Sequence, residues 1–196
     1  MTIHQRLKAL VTELQSPRLL KNQGNGNEIG YYIFDYDAEH EPIVQQFILE
    51  LQPKLAVSQP PLNAVEINLY RVIMKILEDR NLLQRAFDLE AKKGNTDLAK
   101  TIKPMVRPDK VVEKIQELVQ GNEDLIFITG VGASWPMMRS HTILNNLHPV
   151  LDRTPVVMFF PGSYDGQELR LFDTFKDDNY YRAFPLIPRR SDKHEY

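Results

Sequence analysis

Two apolar runs, Leu125-Ile-Phe-Ile-Thr129 and Pro155-Val-Val-Met-Phe-Phe160, constrain the fold more than any other feature of this chain. Neither alternates polar with apolar residues, so neither suits a strand with one wet face. Continuous β-branched and aromatic runs of this length suit strands covered on both faces, as in a parallel sheet. Each ends in a glycine turn, Thr129-Gly-Val-Gly132 and Phe160-Pro-Gly162, and residues 134–147 between them can form one helix. Parallel neighbours joined through a helix make a right-handed βαβ unit. The fold class that follows is α/β: three layers around a mostly parallel sheet, Rossmann-like or P-loop-like without a Walker A sequence.

The remaining chain fits that plan. Ile3, Leu7, Leu10, Val11 and Leu14 recur at helical spacing. Ser16-Pro17 should end that helix, because the residue before proline avoids the α region. Gln23-Gly-Asn-Gly-Asn27 reads as a polar turn, and Tyr31-Tyr-Ile-Phe-Asp-Tyr36 as a buried strand. Asp37 offers an N-cap to a helix carrying Ile43, Val44, Phe47, Ile48 and Leu51, which Pro53 and Ser58-Gln-Pro-Pro61 should break. Ala64-Val-Glu-Ile-Asn68 reads as a second strand. Residues 69–92 form one long helix or two, with Val72, Ile73, Ile76, Leu77, Leu83 and Phe87 on its apolar stripe. Gly94 suits a C-cap, Asn95 the cap of the next helix, and Asp109 the start of another that closes near Gly121. Beyond Phe160, Gly162-Ser-Tyr-Asp-Gly166 is turn chemistry and Glu168-Leu-Arg-Leu-Phe172 alternates, which predicts a C-terminal β-ribbon. Asp177-Asp-Asn179 predicts a further turn and residues 180–187 a last strand. The organisation expected is a single α/β domain over residues 1–188, with a helical insertion at about 69–120 and a polar tail at 189–196.

Composition excludes several chemistries. The net charge is −2 and the pI about 6.2, without the basic excess of most nucleic-acid modules. Arg189-Arg190 is a local exception, read as a solubilising pair. No cysteine is present, which removes disulfides, zinc-thiolate sites, iron–sulfur clusters and thiol nucleophiles. The segment Met1-Thr-Ile-His-Gln-Arg-Leu-Lys8 lacks the apolar stretch of a signal peptide, and no run approaches the length of a membrane span. A cytoplasmic protein is expected, with no membrane contact and no direct nucleic-acid contact; its oligomeric state stays open.

In open α/β sheets ligands bind beyond the carboxyl ends of the strands. The candidate ligand loop is therefore Gly130, Gly132 and Ser134, together with Arg139 and His141 on the following helix. Arg139 suits a carboxylate or phosphate. The chain nevertheless has no Gly-x-x-x-x-Gly-Lys-Ser/Thr and no Gly-x-Gly-x-x-Gly after a strand. His141 has no neighbouring nucleophile or carboxylate partner, so a structural histidine is the simpler reading. His4, His40, His141, His148 and His194 are scattered, and the acids Asp35, Asp37 and Glu41 suit a helix N-terminus as well as a metal. No catalytic residue, metal ligand or cofactor is predicted; a degenerate nucleotide or phosphate site at residues 130–139 is the alternative. Asp177-Asp-Asn-Tyr-Tyr-Arg182 reads first as a solvated turn and second as a partner surface, since tyrosine and arginine anchor interfaces.

Four segments carry a family resemblance: Gly130-Val-Gly132; Arg139-Ser-His-Thr-Ile-Leu-Asn-Asn-Leu147; Pro155-Val-Val-Met-Phe-Phe-Pro-Gly-Ser-Tyr-Asp-Gly166; and Phe175-Lys-Asp-Asp-Asn-Tyr-Tyr-Arg-Ala-Phe184. Together they resemble the BrxB-like family of BREX bacteriophage-exclusion systems, over nearly the whole chain. The resemblance implies a bacterial phage-defence protein. It would work beside a methyltransferase, an ATPase and a PglZ-like protein with an alkaline-phosphatase-type domain. The family offers no catalytic residues to carry over. It implies a non-catalytic accessory subunit that binds another BREX component, the PglZ-like protein foremost. The partner surface expected from exposed-looking residues comprises Tyr164, Asp165, Lys176, Asn179, Tyr180 and Arg182.

Overall fold

A computed structural model describes residues 1–21, 30–151, 153–176 and 183–189. Five strands lie side by side in the order β2-β3-β4-β1-β7: β1 (Tyr31–Tyr36), β2 (Ala64–Asn68), β3 (Leu125–Thr129), β4 (Val156–Tyr164) and β7 (Phe184–Pro185). All pairings among them are parallel. Two short strands, β5 (Leu169–Leu171) and β6 (Phe175–Lys176), extend antiparallel from β4 as the expected ribbon. The predicted β3–β4 unit is present, with Ile126, Phe127 and Ile128 opposite Val156, Val157 and Met158.

Alternation of side chains along each strand divides the core in two. Tyr32, Phe34, Phe127, Val157 and Phe159 face α1 (Ile3–Leu14) and α3 (Glu41–Ala56). Ile33, Ile126, Ile128, Met158 and Phe160 face α4 (Leu69–Asp79), α7 (Pro108–Leu118) and α9 (Ser140–Leu147). That is the three-layer arrangement. Helix α1 presents Leu7, Leu10 and Leu14 on one stripe, and its first turn is closed by a reciprocal cap between Thr2 and Gln5. A short α2 (Pro17–Leu20) follows, with Ser16 capping and Pro17 in its first turn, so the expected interruption is where proline chemistry places it.

Other expectations change. Pro53 does not break α3 but sits in its last turns. The carbonyl that loses its partner there is that of Leu49, a residue 59% exposed, so water can satisfy it. Asp37 makes no side-chain cap, because its carboxylate is engaged by Arg189. Of the two readings of residues 69–92 the structure has two helices, α4 and α5 (Leu83–Lys93), while Asn95 is the first residue of α6 (Asn95–Ile102) rather than its cap. The helix expected over residues 134–147 begins only at Ser140, as α9; a separate α8 (Val131–Ser134) precedes it, and between them Trp135 is extended before Pro136. Strand β4 runs through Gly162 to Tyr164. The turn into the ribbon is made instead by Asp165, whose carboxylate accepts from the backbone N–H groups of Gln167 and Glu168 at 2.9 and 2.7 Å. The expected turns at residues 23–27 and 177–179 lie outside the described residues.

Gly162 is required by close approach. A Cβ there would stand 2.0 Å from the Arg170 carbonyl oxygen on β5. Gly162→Ala is expected to lower stability by about 1–3 kcal/mol in urea denaturation, because the ribbon must move off β4 to admit the methyl group.

Candidate functional site

The exit of β1 leads to α3 on one face of the sheet, while β3 leads to α8 and α9 on the other. The crevice where such connections diverge is the expected ligand position in an open α/β sheet. Here it is occupied by the protein's own charges. Asp35, at the carboxyl end of β1 and 7% exposed, receives Arg6 from α1 through one oxygen at 2.8 Å. Its other oxygen forms an ion pair with Arg189 Nε at 3.1 Å and accepts from the Tyr164 N–H at 3.3 Å. Arg6 also donates to the carbonyls of Asp35 and Ile187, at 2.5 and 2.7 Å, and its guanidinium lies 4.7 Å over the Phe34 ring. Arg189 continues to Asp37 and to the Gly162 carbonyl, each at 2.7 Å. Asp35 is thus held between two guanidinium groups and a backbone N–H.

The neighbouring groups are similarly engaged. Tyr36 donates to Glu41 at 2.6 Å. Burial, reinforced by the Glu41 charge, pushes its phenol far above the usual range and keeps it neutral. His40 Nδ1 stands 3.7 Å from Asp37, beyond hydrogen-bond range. A cleft of about 440 Å³ beside them is lined by Thr2, Arg6, Tyr36, His40 and Arg189. Among the described residues no group of three His, Asp or Glu side chains is placed to hold a metal ion.

The predicted glycine loop is packed shut. Gly130 adopts φ +67°, the left-handed region, and a Cβ there would meet Asn68 Oδ1 at 2.3 Å. That same oxygen caps α4 through the Arg71 N–H at 3.1 Å. A Cβ on Gly132 would meet the Phe172 ring at 3.0 Å and Pro161 at 3.1 Å. Ser134 is buried and its hydroxyl donates to the Val131 carbonyl at 2.8 Å. Arg139 precedes α9 at its exposed cap position, and His141 Nε2 lies 3.0 Å from the Thr142 hydroxyl. The structure thus brings Gly130, Gly132 and Ser134 together as a packed turn, and places Arg139 and His141 on a separate element.

Of the expected partner surface, Tyr164 is buried rather than exposed, because its hydroxyl donates to the Ala183 carbonyl at 2.8 Å. Asp165 is exposed in the ribbon turn, and Lys176 pairs with Glu168. Asn179, Tyr180 and Arg182 lie outside the described residues. A different apolar surface is present, a groove of about 630 Å³ walled by α4, α5, α6 and residues 133–137. Phe87, expected on the inward stripe, is 49% exposed at this groove.

Sequence reasoning missed the charged clasp, although two signals were present. Arg6 falls on the apolar stripe of α1, three residues after Ile3, and Asp35 is the one charge in an aromatic strand. Arg189, read as part of a solvated tail, is held in the same cluster.

Residues 65–186 match the family described as BREX protein BrxB. The chain is similar to a BREX protein BrxB of Bacillus cereus (strain H3081.97), with 46% identity over 191 residues, 95% of this chain and 98% of the relative. A BREX protein BrxB of Escherichia coli O9:H4 (strain HS) is 34% identical over 190 residues, 93% of this chain and 90% of the relative. No solved structure matches.

Arg6→Met should cost about 3–5 kcal/mol in urea or thermal unfolding, since it leaves Asp35 buried with a diminished counter-charge. Asp35→Asn combined with it should lose less than the sum of the two single changes, because the groups share one interaction.

Proposed function

The chain belongs to the BrxB family, components of BREX phage-defence systems, and from that premise we propose that it is a non-catalytic assembly subunit that binds another component of its system. The PglZ-like, alkaline-phosphatase-type protein is the partner we assign. One observation carries the reading. At the carboxyl end of the sheet, where an α/β enzyme would present its site, Asp35 is already paired with Arg6 and Arg189, and side chains pack against Gly130 and Gly132. The apolar surface left open lies elsewhere and carries half-exposed aromatic residues, the type enriched at protein interfaces.

The test is recovery of a tagged chain from cells expressing the complete system. The PglZ-like protein should co-purify in fixed proportion through size exclusion. A tagged chain recovered alone and monomeric would sink the assignment.

Nucleotide binding is checked separately. Millimolar ATP or GTP with magnesium should leave the melting temperature unchanged. A ligand at a hundred times its dissociation constant contributes about 2.7 kcal/mol, so a rise of several degrees would reinstate a site at residues 130–139.

A further inference from the structure

Helices α5 and α6 carry an apolar bed with uncovered edges. Met74, Leu77, Leu83, Ile102 and Trp135 line it, and two rim aromatics, Tyr70 and Phe87, are 39% and 49% exposed. Trp135 stacks on Phe175 at 4.3 Å, and Phe175 is itself 41% exposed, so the apolar face continues onto the ribbon. A small-molecule pocket buries most of its ligand within its walls. A bed whose aromatic residues stand in its rim instead suits a macromolecule laid across it.

The charges around it differ from those of the rest of the chain. Residues 69–107 hold nine Lys and Arg against five Asp and Glu, a net of +4 in a chain whose total is −2. Lys100 and Lys103 line the groove, against Glu90 as its single acid. Several surface lysines are paired, Lys54 with Glu50, Lys75 with Glu78 and Lys110 with Glu113. Lys100 and Lys103 have no carboxylate partner within salt-bridge distance among the described residues.

We propose that this groove is the docking site for an acidic amphipathic helix carried by a partner protein. Apolar side chains spaced i, i+3 or i+4, i+7 along that helix would enter the bed between α4, α5 and α6, in the helix-in-groove mode. Its Asp and Glu residues would meet Lys100 and Lys103. Cationic rims of this kind favour an acidic partner and speed its encounter. A nucleic acid is the less suitable occupant, because the bed between the cations is apolar and offers phosphates no donors. The inference rests on the assembly reading and adds the surface and the chemistry of the partner.

The experiment uses the full chain in cells expressing the complete system, with recovery of system components on the tagged chain as readout. Phe87→Glu and the pair Lys100→Glu/Lys103→Glu should each reduce recovery more than tenfold. Lys8→Glu, on exposed α1 across the sheet, should leave it unchanged. All three should melt within a degree or two of the wild type, because the altered side chains are exposed. A photocrosslinking phenylalanine analogue at position 87 should capture a peptide rich in Asp and Glu with helically spaced apolar residues. Undiminished recovery with both groove variants overturns the groove and leaves the assembly reading standing. Failure of the wild type to recover any component overturns both. Capture of a second copy of this chain, of a basic segment, or salt-sensitive duplex DNA retention that Lys100→Glu/Lys103→Glu abolishes overturns the acidic helix as occupant.

Discussion

One buried carboxylate organises the carboxyl end of this protein. Asp35 stands at the end of the strand that separates β4 from β7, and removing such a charge from water costs several kcal/mol unless strong donors replace the lost hydration. Two guanidinium groups and a backbone N–H do so here. Each donor arrives from a different part of the chain: α1, the segment after β7, and the end of β4. The same two arginines reach the carbonyls of Ile187 and Gly162. Solvating one carboxylate therefore pins the first helix, the last described segment and two central strands to a single point. Little of that energy is net gain, since a buried pair can be matched by apolar packing. What the pair adds is position: an apolar contact at this point would not specify which backbone carbonyls the two termini meet.

The consequence for function follows from where the clasp lies. The strand order makes β1 the point at which connections leave to opposite faces, and in many α/β proteins the opening there admits a ligand. In this chain a salt-bridge network lies at that opening, and the adjoining glycine turns are packed by Asn68, Phe172 and Pro161. Glycine in such turns has two uses, letting a ligand approach the backbone or letting another part of the protein do so. Distances of 2–3 Å from each absent Cβ to a protein atom decide for the second.

The sheet was readable because its signal is local. Strands covered on both faces show as unbroken apolar runs, and β1, β3 and β4 each have one. Proline was readable where its local rule acts alone, as at Ser16, and unreadable where context overrides it. Pro53 is tolerated because the carbonyl it deprives faces water, whereas beyond an extended Trp135 and Pro136 the predicted helix starts only at Ser140. The clasp was beyond such reading, since Arg6 finds Asp35 and Ile187 at separations of 29 and 181 residues. A charge on an apolar stripe signals that a partner must exist without saying which one. The groove was illegible for another reason. An apolar stripe looks the same in sequence whether its cover belongs to the same chain or to a different one, so Phe87 read as core.

That last ambiguity bears on why α5 and α6 are folded as they are. Helix α5 has eleven residues and buries only Ala86; α6 buries only Ala99 and Ile102. Isolated helices of this length are marginal in water, and in proteins most helical stability comes from packing an apolar face. The two lean mainly on each other, while α4 and α7 lie against the sheet. Their apolar residues Leu83, Phe87 and Leu98 are then too numerous for a solvated hairpin and too exposed for a finished core. In the proposed docking, the partner's helix would supply the burial that the sheet does not. The end of the molecule expected to bind thus carries a charged clasp, and part of the stripe that read as core is exposed.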